Sequence, residues 1–180
     1  MQIKKENSLL LFIDVQEKLF PHINKNVELE KKLNQLVEGM QVLEVPILVT
    51  EQYTKGLGKT ISSISEQLND NVLRLEKMTF SCMQNAEIAA AIEQSGKRTI
   101  ILAGVEAHIC VLQTALDLIA EGFDVVLVFD AVGSRNEEDK SISVLRLQGK
   151  VAFASVEAVL FELCQIAGTD QFRAISKIIK

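Results

Sequence analysis

Thr99-Ile100-Ile101-Leu102-Ala103-Gly104-Val105-Glu106-Ala107-His108-Ile109-Cys110 is the stretch on which the fold turns. An almost unbroken apolar run of strand length enters a turn at Gly104, and a helical pattern runs from Cys110 to residue 121. A strand apolar at successive positions is covered on both faces, as in a parallel sheet. The same unit recurs along the chain. Strand-like segments at 8–13, 46–50, 72–76, 99–103, 124–129 and 151–154 alternate with helical patterns at 27–44, 87–95, 110–121, 138–148, 156–163 and 170–179. Residues 51–67 read as a long loop with one short helix. Repeated βαβ units with right-handed crossovers build a three-layer αβα sandwich of Rossmann-like type on a six-stranded, mostly parallel sheet. No linker, repeat or low-complexity tract interrupts the pattern, so one domain over 1–180 is expected.

Composition narrows the function classes. The formal net charge is −5, and no Lys/Arg cluster forms a stripe that could track phosphates, which argues against nucleic acid as a partner. The apolar run Leu9–Ile13 ends at Asp14, too short for a membrane span or a signal-peptide core. Three cysteines, Cys82, Cys110 and Cys164, and two histidines, His22 and His108, give neither a disulfide framework nor zinc-finger spacing. These features point to a cytoplasmic protein with no metal and no cofactor.

In open α/β sheets, ligands bind beyond the carboxyl ends of the strands, where strand order reverses. Asp14, Lys77 and Cys110 are the acid or base, the cation and the nucleophile that fall at such ends. A thiol at a helix start feels unpaired N–H groups that favour the thiolate. Half-ionising an ordinary thiol at neutral pH takes about 2 kcal/mol, whereas a helix end supplies ~0.3–1 kcal/mol. A nearby charged partner is therefore needed, a role open to Lys77 and Asp14. Each residue also has an ordinary reading: a core thiol for Cys110, a cap for Asp14, a surface cation for Lys77.

Taken in order, Asp14-Val15-Gln16, Lys77-Met78-Thr79-Phe80-Ser81 and Gly104-Val105-Glu106-Ala107-His108-Ile109-Cys110-Val111 resemble the isochorismatase-like cysteine hydrolase family over nearly the whole chain. Thr50-Glu51-Gln52-Tyr53 with Lys55-Gly56-Leu57-Gly58 is most similar to the small branch near the animal isochorismatase-domain proteins. The resemblance implies that Cys110 attacks a carbonyl carbon, Asp14 moves the thiol proton, and Lys77 holds both in register. It implies a cis peptide at Val105–Glu106, with the Glu106 and Cys110 N–H groups forming an oxyanion hole. Phe20, Gln52 and Tyr53 are then expected to line the pocket, and a homo-oligomer is expected, with apolar residues of helices 156–163 and 170–179 available for it. Nicotinamidases of this family hold a metal through Asp-x-His where this chain has Glu51-Gln52-Tyr53, so no metal is expected. The reaction implied is hydrolysis of a small-molecule amide or ureide C–N bond through a thioester. The alternative is a catalytically weak family member acting as a scaffold.

Other signals carry less. Lys55-Gly56-Leu57-Gly58-Lys59-Thr60 resembles the end of a phosphate loop, but the motif requires glycine where Tyr53 stands. His108 reads as a packing residue and Ser134-Arg135-Asn136 as a solvated helix start.

Overall fold

The computed structural model describes residues 2–180. Six strands form one wholly parallel sheet: β1 (Ser8–Ile13), β2 (Ile47–Gln52), β3 (Leu73–Lys77), β4 (Thr99–Val105), β5 (Asp124–Gly133) and β6 (Ala152–Ala154), in the order β3-β2-β1-β4-β5-β6. The central strand β1 is buried at every position, which explains its unbroken apolar run. Leu10 and Phe12 enter one core, while Leu9, Leu11 and Ile13 enter the other.

Among the described residues, eight α-helices connect or flank the strands: α1 (Asn26–Val42), α2 (Thr54–Leu57), α3 (Ser62–Ser65), α4 (Ala86–Gln94), α5 (Leu112–Ala120), α6 (Glu137–Leu147), α7 (Val156–Cys164) and α8 (Asp170–Ile179). Helices α1, α7 and α8 cover one face, and α4, α5 and α6 the other. The segment expected to be loop with one helix carries two, α2 and α3. The surplus apolar residues of the last two helices are spent inside the chain. Val156, Val159, Leu160, Leu163 and Ile175 are all buried in the α1-side core, so they are not free for self-association.

Four strands end later than their patterns suggested, β2 at Gln52, β3 at Lys77, β4 at Val105 and β5 at Gly133. Strand order reverses between β1 and β4, which opens the crevice at their carboxyl ends. Gly104 lets these two strands approach: its φ is +121°, and a Cβ there would collide with the Ile13 carbonyl. No helix among the described residues is long and apolar enough to cross a membrane.

Candidate active site

Asp14 leaves β1 in the left-handed region, at φ 53°, with its N–H donating to Thr50 O at 3.1 Å. Such backbone costs a non-glycine residue about 1–3 kcal/mol and collects at functional sites. It sits over the crevice, where two donors hold its carboxylate. The Thr50 hydroxyl donates to Oδ1 at 2.7 Å, and the Lys77 ammonium donates to Oδ2 at 2.6 Å. Lys77 comes from β3, two strands away, a lateral span of about 10 Å. It crosses the end of β2 and donates on the way to Gln52 Oε1 at 2.7 Å, Phe80 O at 3.1 Å and Thr79 O at 3.2 Å. The pair is sealed: Asp14 and Lys77 are each 1% exposed.

Gln52 is placed by a residue whose role the sequence did not disclose. The side-chain amide of Gln16 donates to Gln52 O at 2.9 Å and accepts from Gln52 N at 2.7 Å, fastening the end of β2 to the chain after β1. The same amide donates to Gly58 O at 2.7 Å and so holds the loop after α2. Glu51, the neighbour of Gln52, is committed elsewhere. It accepts from the Thr60 N–H and hydroxyl at 2.8 and 2.9 Å, and from Lys59 at 3.1 Å. The glycine-rich loop is thus tied down by Glu51, with Lys59 ion-paired to it.

Cys110 does not open a helix, as expected, but lies within a π-helical turn, Ala107–Val111, that leads into α5. The peptide Val105–Glu106 before it is cis. The thiol is 7% exposed and borders a cavity of about 220 Å³ together with Asp14, Gln52 and Glu106. Burial and then the Asp14 carboxylate push the Cys110 thiol well up, against the pull of Lys77. The expectation of a depressed thiol is therefore overturned: here a buried carboxylate lies beside the sulfur and outweighs the ammonium. Behind this group, Cys82 is fully buried and pushed up to about 11, by burial first and by Asp14 second. Its Sγ lies 4.0 Å from the Thr50 hydroxyl.

The remaining pocket expectations fare unevenly. Gln52 lines the cavity, whereas Phe20 is 4% exposed and packs into the α1-side core, its neighbour Leu19 reaching the cavity instead. Tyr53 faces outward, 46% exposed against Gly56, because its backbone is left-handed at φ 40°. Arg135, expected to be solvated, also lines the cavity. Its backbone N–H and its Nε each donate to Glu106 Oε1 at 3.0 Å. His108 packs through Nδ1 against the Ser134 hydroxyl at 2.9 Å, close to the packing role expected. Among the described residues, no group of three or more His, Cys, Asp or Glu side chains is arranged to hold a metal.

A doubly wound parallel sheet with an ion-paired carboxylate and a thiol facing one crevice at its switch point defines the class, an α/β protein of hydrolase fold. The model of the isochorismatase domain matches residues 8–158, and the chain belongs to the isochorismatase family. It is 36% identical to the secreted isochorismatase effector Isc1 of Phytophthora sojae, over 97% of this chain and 85% of that protein. It is 34% identical to mouse isochorismatase domain-containing protein 2A, over 99% of this chain and 85% of that protein. Among solved structures, the MAR1 ribonuclease of Caenorhabditis elegans superposes with a TM-score of 0.92 at 33% identity, covering 99% of this chain and 92% of that one. The Escherichia coli YcaC gene product, described as an octameric hydrolase of unknown specificity, shares the fold with a TM-score of 0.94 at 22% identity, covering 99% of this chain and 89% of that one.

Proposed function

We propose that this protein is a metal-independent cysteine hydrolase that cleaves an amide or ureide C–N bond in a small molecule. The observation that carries the reading is the buried Lys77–Asp14 pair, 2.6 Å apart, whose Asp14 borders the same cavity as Cys110. In the resting site the thiol is neutral, so its proton leaves as the sulfur attacks. Cys110 Sγ adds to the carbonyl carbon while Asp14 takes the thiol proton. The N–H groups of Glu106 and Cys110 hold the oxyanion that forms, a contribution of ~3 kcal/mol for one donor. Asp14 then gives the proton to the departing nitrogen as the C–N bond breaks, leaving a thioester. Water, deprotonated by Asp14, hydrolyses the thioester and restores the thiol. Lys77 keeps Asp14 oriented throughout. A cavity of about 220 Å³ favours a substrate of few heavy atoms.

The test is a panel of small amides and ureides with mass detection of an acyl adduct on Cys110. Turnover and adduct are expected in the wild type, and loss of both in Cys110→Ala. Full turnover by Cys110→Ala would sink the proposal. The name of the Caenorhabditis elegans relative raises RNA cleavage as a second reading, so the panel includes a single-stranded RNA. Net charge −5 and a narrow cavity favour the small molecule. A protein that kept the site but serves as a scaffold would form no adduct with any member of the panel. We also propose that the domain over 1–180 self-associates through exposed apolar side chains such as Met78 and Phe80, which sedimentation measures.

A further inference from the structure

The mechanism above uses only the backbone of Glu106, yet its side chain is held in an unequal way. Only 6% of that side chain is exposed, and it lines the cavity shared with Asp14 and Cys110. Oε1 accepts both hydrogen bonds from Arg135, one from the backbone N–H and one from Nε. Oε2 accepts none from the described residues. Rotating the carboxylate to exchange its oxygens would break two bonds, so the unpartnered oxygen is fixed in place. Oε2 is not sealed from solvent, and the side chain borders the cavity, so a ligand entering there can reach it. Leu19, Leu57, Phe80 and Ile109 make up most of the remaining wall and offer Oε2 no side-chain donor.

The charge of Glu106 is already balanced by the Arg135 guanidinium, 3.0 Å away. The vacant acceptor therefore suits a neutral N–H donor better than an ammonium ion, which would add a net positive charge to an apolar cavity. Cys110 and Glu106 border the same cavity of about 220 Å³, so one small ligand can meet both.

We propose that Glu106 Oε2 accepts a hydrogen bond from the nitrogen of the scissile group, so that Glu106 selects carboxamides and ureides bearing an N–H over esters and fully substituted amides. This rests on the Cys110 reading and names the substrate feature that the site recognises. Arg135 acts as the positioning residue that holds Oε1 and leaves Oε2 free.

The selection is measurable without knowing the substrate. Acrylamide, N,N-dimethylacrylamide and methyl acrylate all alkylate thiols: the sulfur bonds to the terminal alkene carbon, the thiol proton ends on the carbon next to the carbonyl, and nothing leaves. The rate of Cys110 adduct formation with each probe is followed by mass spectrometry and divided by the rate with free cysteine. The wild type is expected to favour acrylamide over both probes that lack N–H by about tenfold or more, the scale of a hydrogen bond to a charged acceptor. Glu106→Gln keeps an oxygen for Arg135 and turns Oε2 into an NH₂ donor, so the preference should fall to that of free cysteine. Equal normalised rates in the wild type, or a preference that survives in Glu106→Gln, overturn the role of Glu106 while leaving the Cys110 nucleophile standing. If none of the three modifies Cys110, the nucleophile reading fails and this inference with it.

Discussion

Replacing Lys77 by methionine should unfold the protein at a markedly lower temperature, because the side chain is worth more to its neighbours than its own burial costs. Its ammonium, completely enclosed, donates to Asp14 Oδ2, Gln52 Oε1, Thr79 O and Phe80 O. Methionine fills most of the volume but leaves these acceptors without a donor and Asp14 without a counter-charge. Removing one partner of a buried pair costs roughly 3–5 kcal/mol. For a chain of this size about 2–4 °C accompanies each kcal/mol, so Lys77→Met should melt roughly 6–20 °C below the wild type by calorimetry. Adding Asp14→Asn removes the stranded charge, so the double variant should recover about half of that loss or more. The pH dependence has a definite sign. Burial pulls the Lys77 ammonium down, but Asp14, and after it Cys110 and Cys82, raise it above its ordinary 10.5. A raised ammonium stabilises the fold fully below about pH 10.5, and the gap between wild type and variant should close only as pH rises through the higher folded value. A melting temperature within about 2 °C of the wild type, or a double variant whose loss is the sum of the two singles, would refute this account.

Asp14→Asn should lower the Cys110 thiol, because the carboxylate that raises it is gone while Lys77 remains. Ultraviolet thiolate absorbance, compared with Asp14→Asn/Cys110→Ser, should then appear at lower pH than in the wild type, and an unmoved titration counts against the stated causes. Glu51 titrates below its ordinary 4.5 although burial alone would raise it, because the Thr60 N–H and hydroxyl and Lys59 stabilise its charge. Its contribution is present above that ordinary value and lost as pH falls through the folded one, so amide exchange at residues 54–61 should quicken in acid, and Glu51→Gln should abolish that pH dependence. Gly104→Ala drives a methyl into the Ile13 carbonyl and should cost at least about 2 kcal/mol by denaturant titration, far more than alanine costs where φ is ordinary.

The sheet was legible because strands covered on both faces must be apolar at successive positions, as Ser8–Ile13 and residues 99–103 are. Where the patterns ended β2 and β3 too early, the missing residues were polar ones, and β5 continued through the polar Asp130, each satisfied by distant partners. Glu51 and Gln52 look like loop by hydropathy, yet Thr60, Lys59, Gln16 and Lys77 complete their bonds and keep them in β2. Asp130 continues β5 because it accepts from Val156 N and pairs with Lys32. The convergence of Asp14, Lys77 and Cys110 needed only strand order, since each lies at or just beyond a carboxyl end. Thr50 to Asp14 and Arg135 to Glu106 are bonds across 36 and 29 residues, and periodicity carries no information about such pairs.

The state of the sulfur was hidden for a related reason. From the sequence, a helix start, Lys77 and Asp14 as a nearby base were all counted in favour of an activated thiol. Burial and the distance between Asp14 and Cys110 are tertiary quantities, and they reverse the sign. That reversal has a chemical consequence. A neutral thiol beside a fixed carboxylate resists chance electrophiles until one sits close enough for proton transfer and attack to proceed together. Under the proposed mechanism, reactivity depends on what the cavity accepts, and its walls, Glu106 among them, take part in that selection.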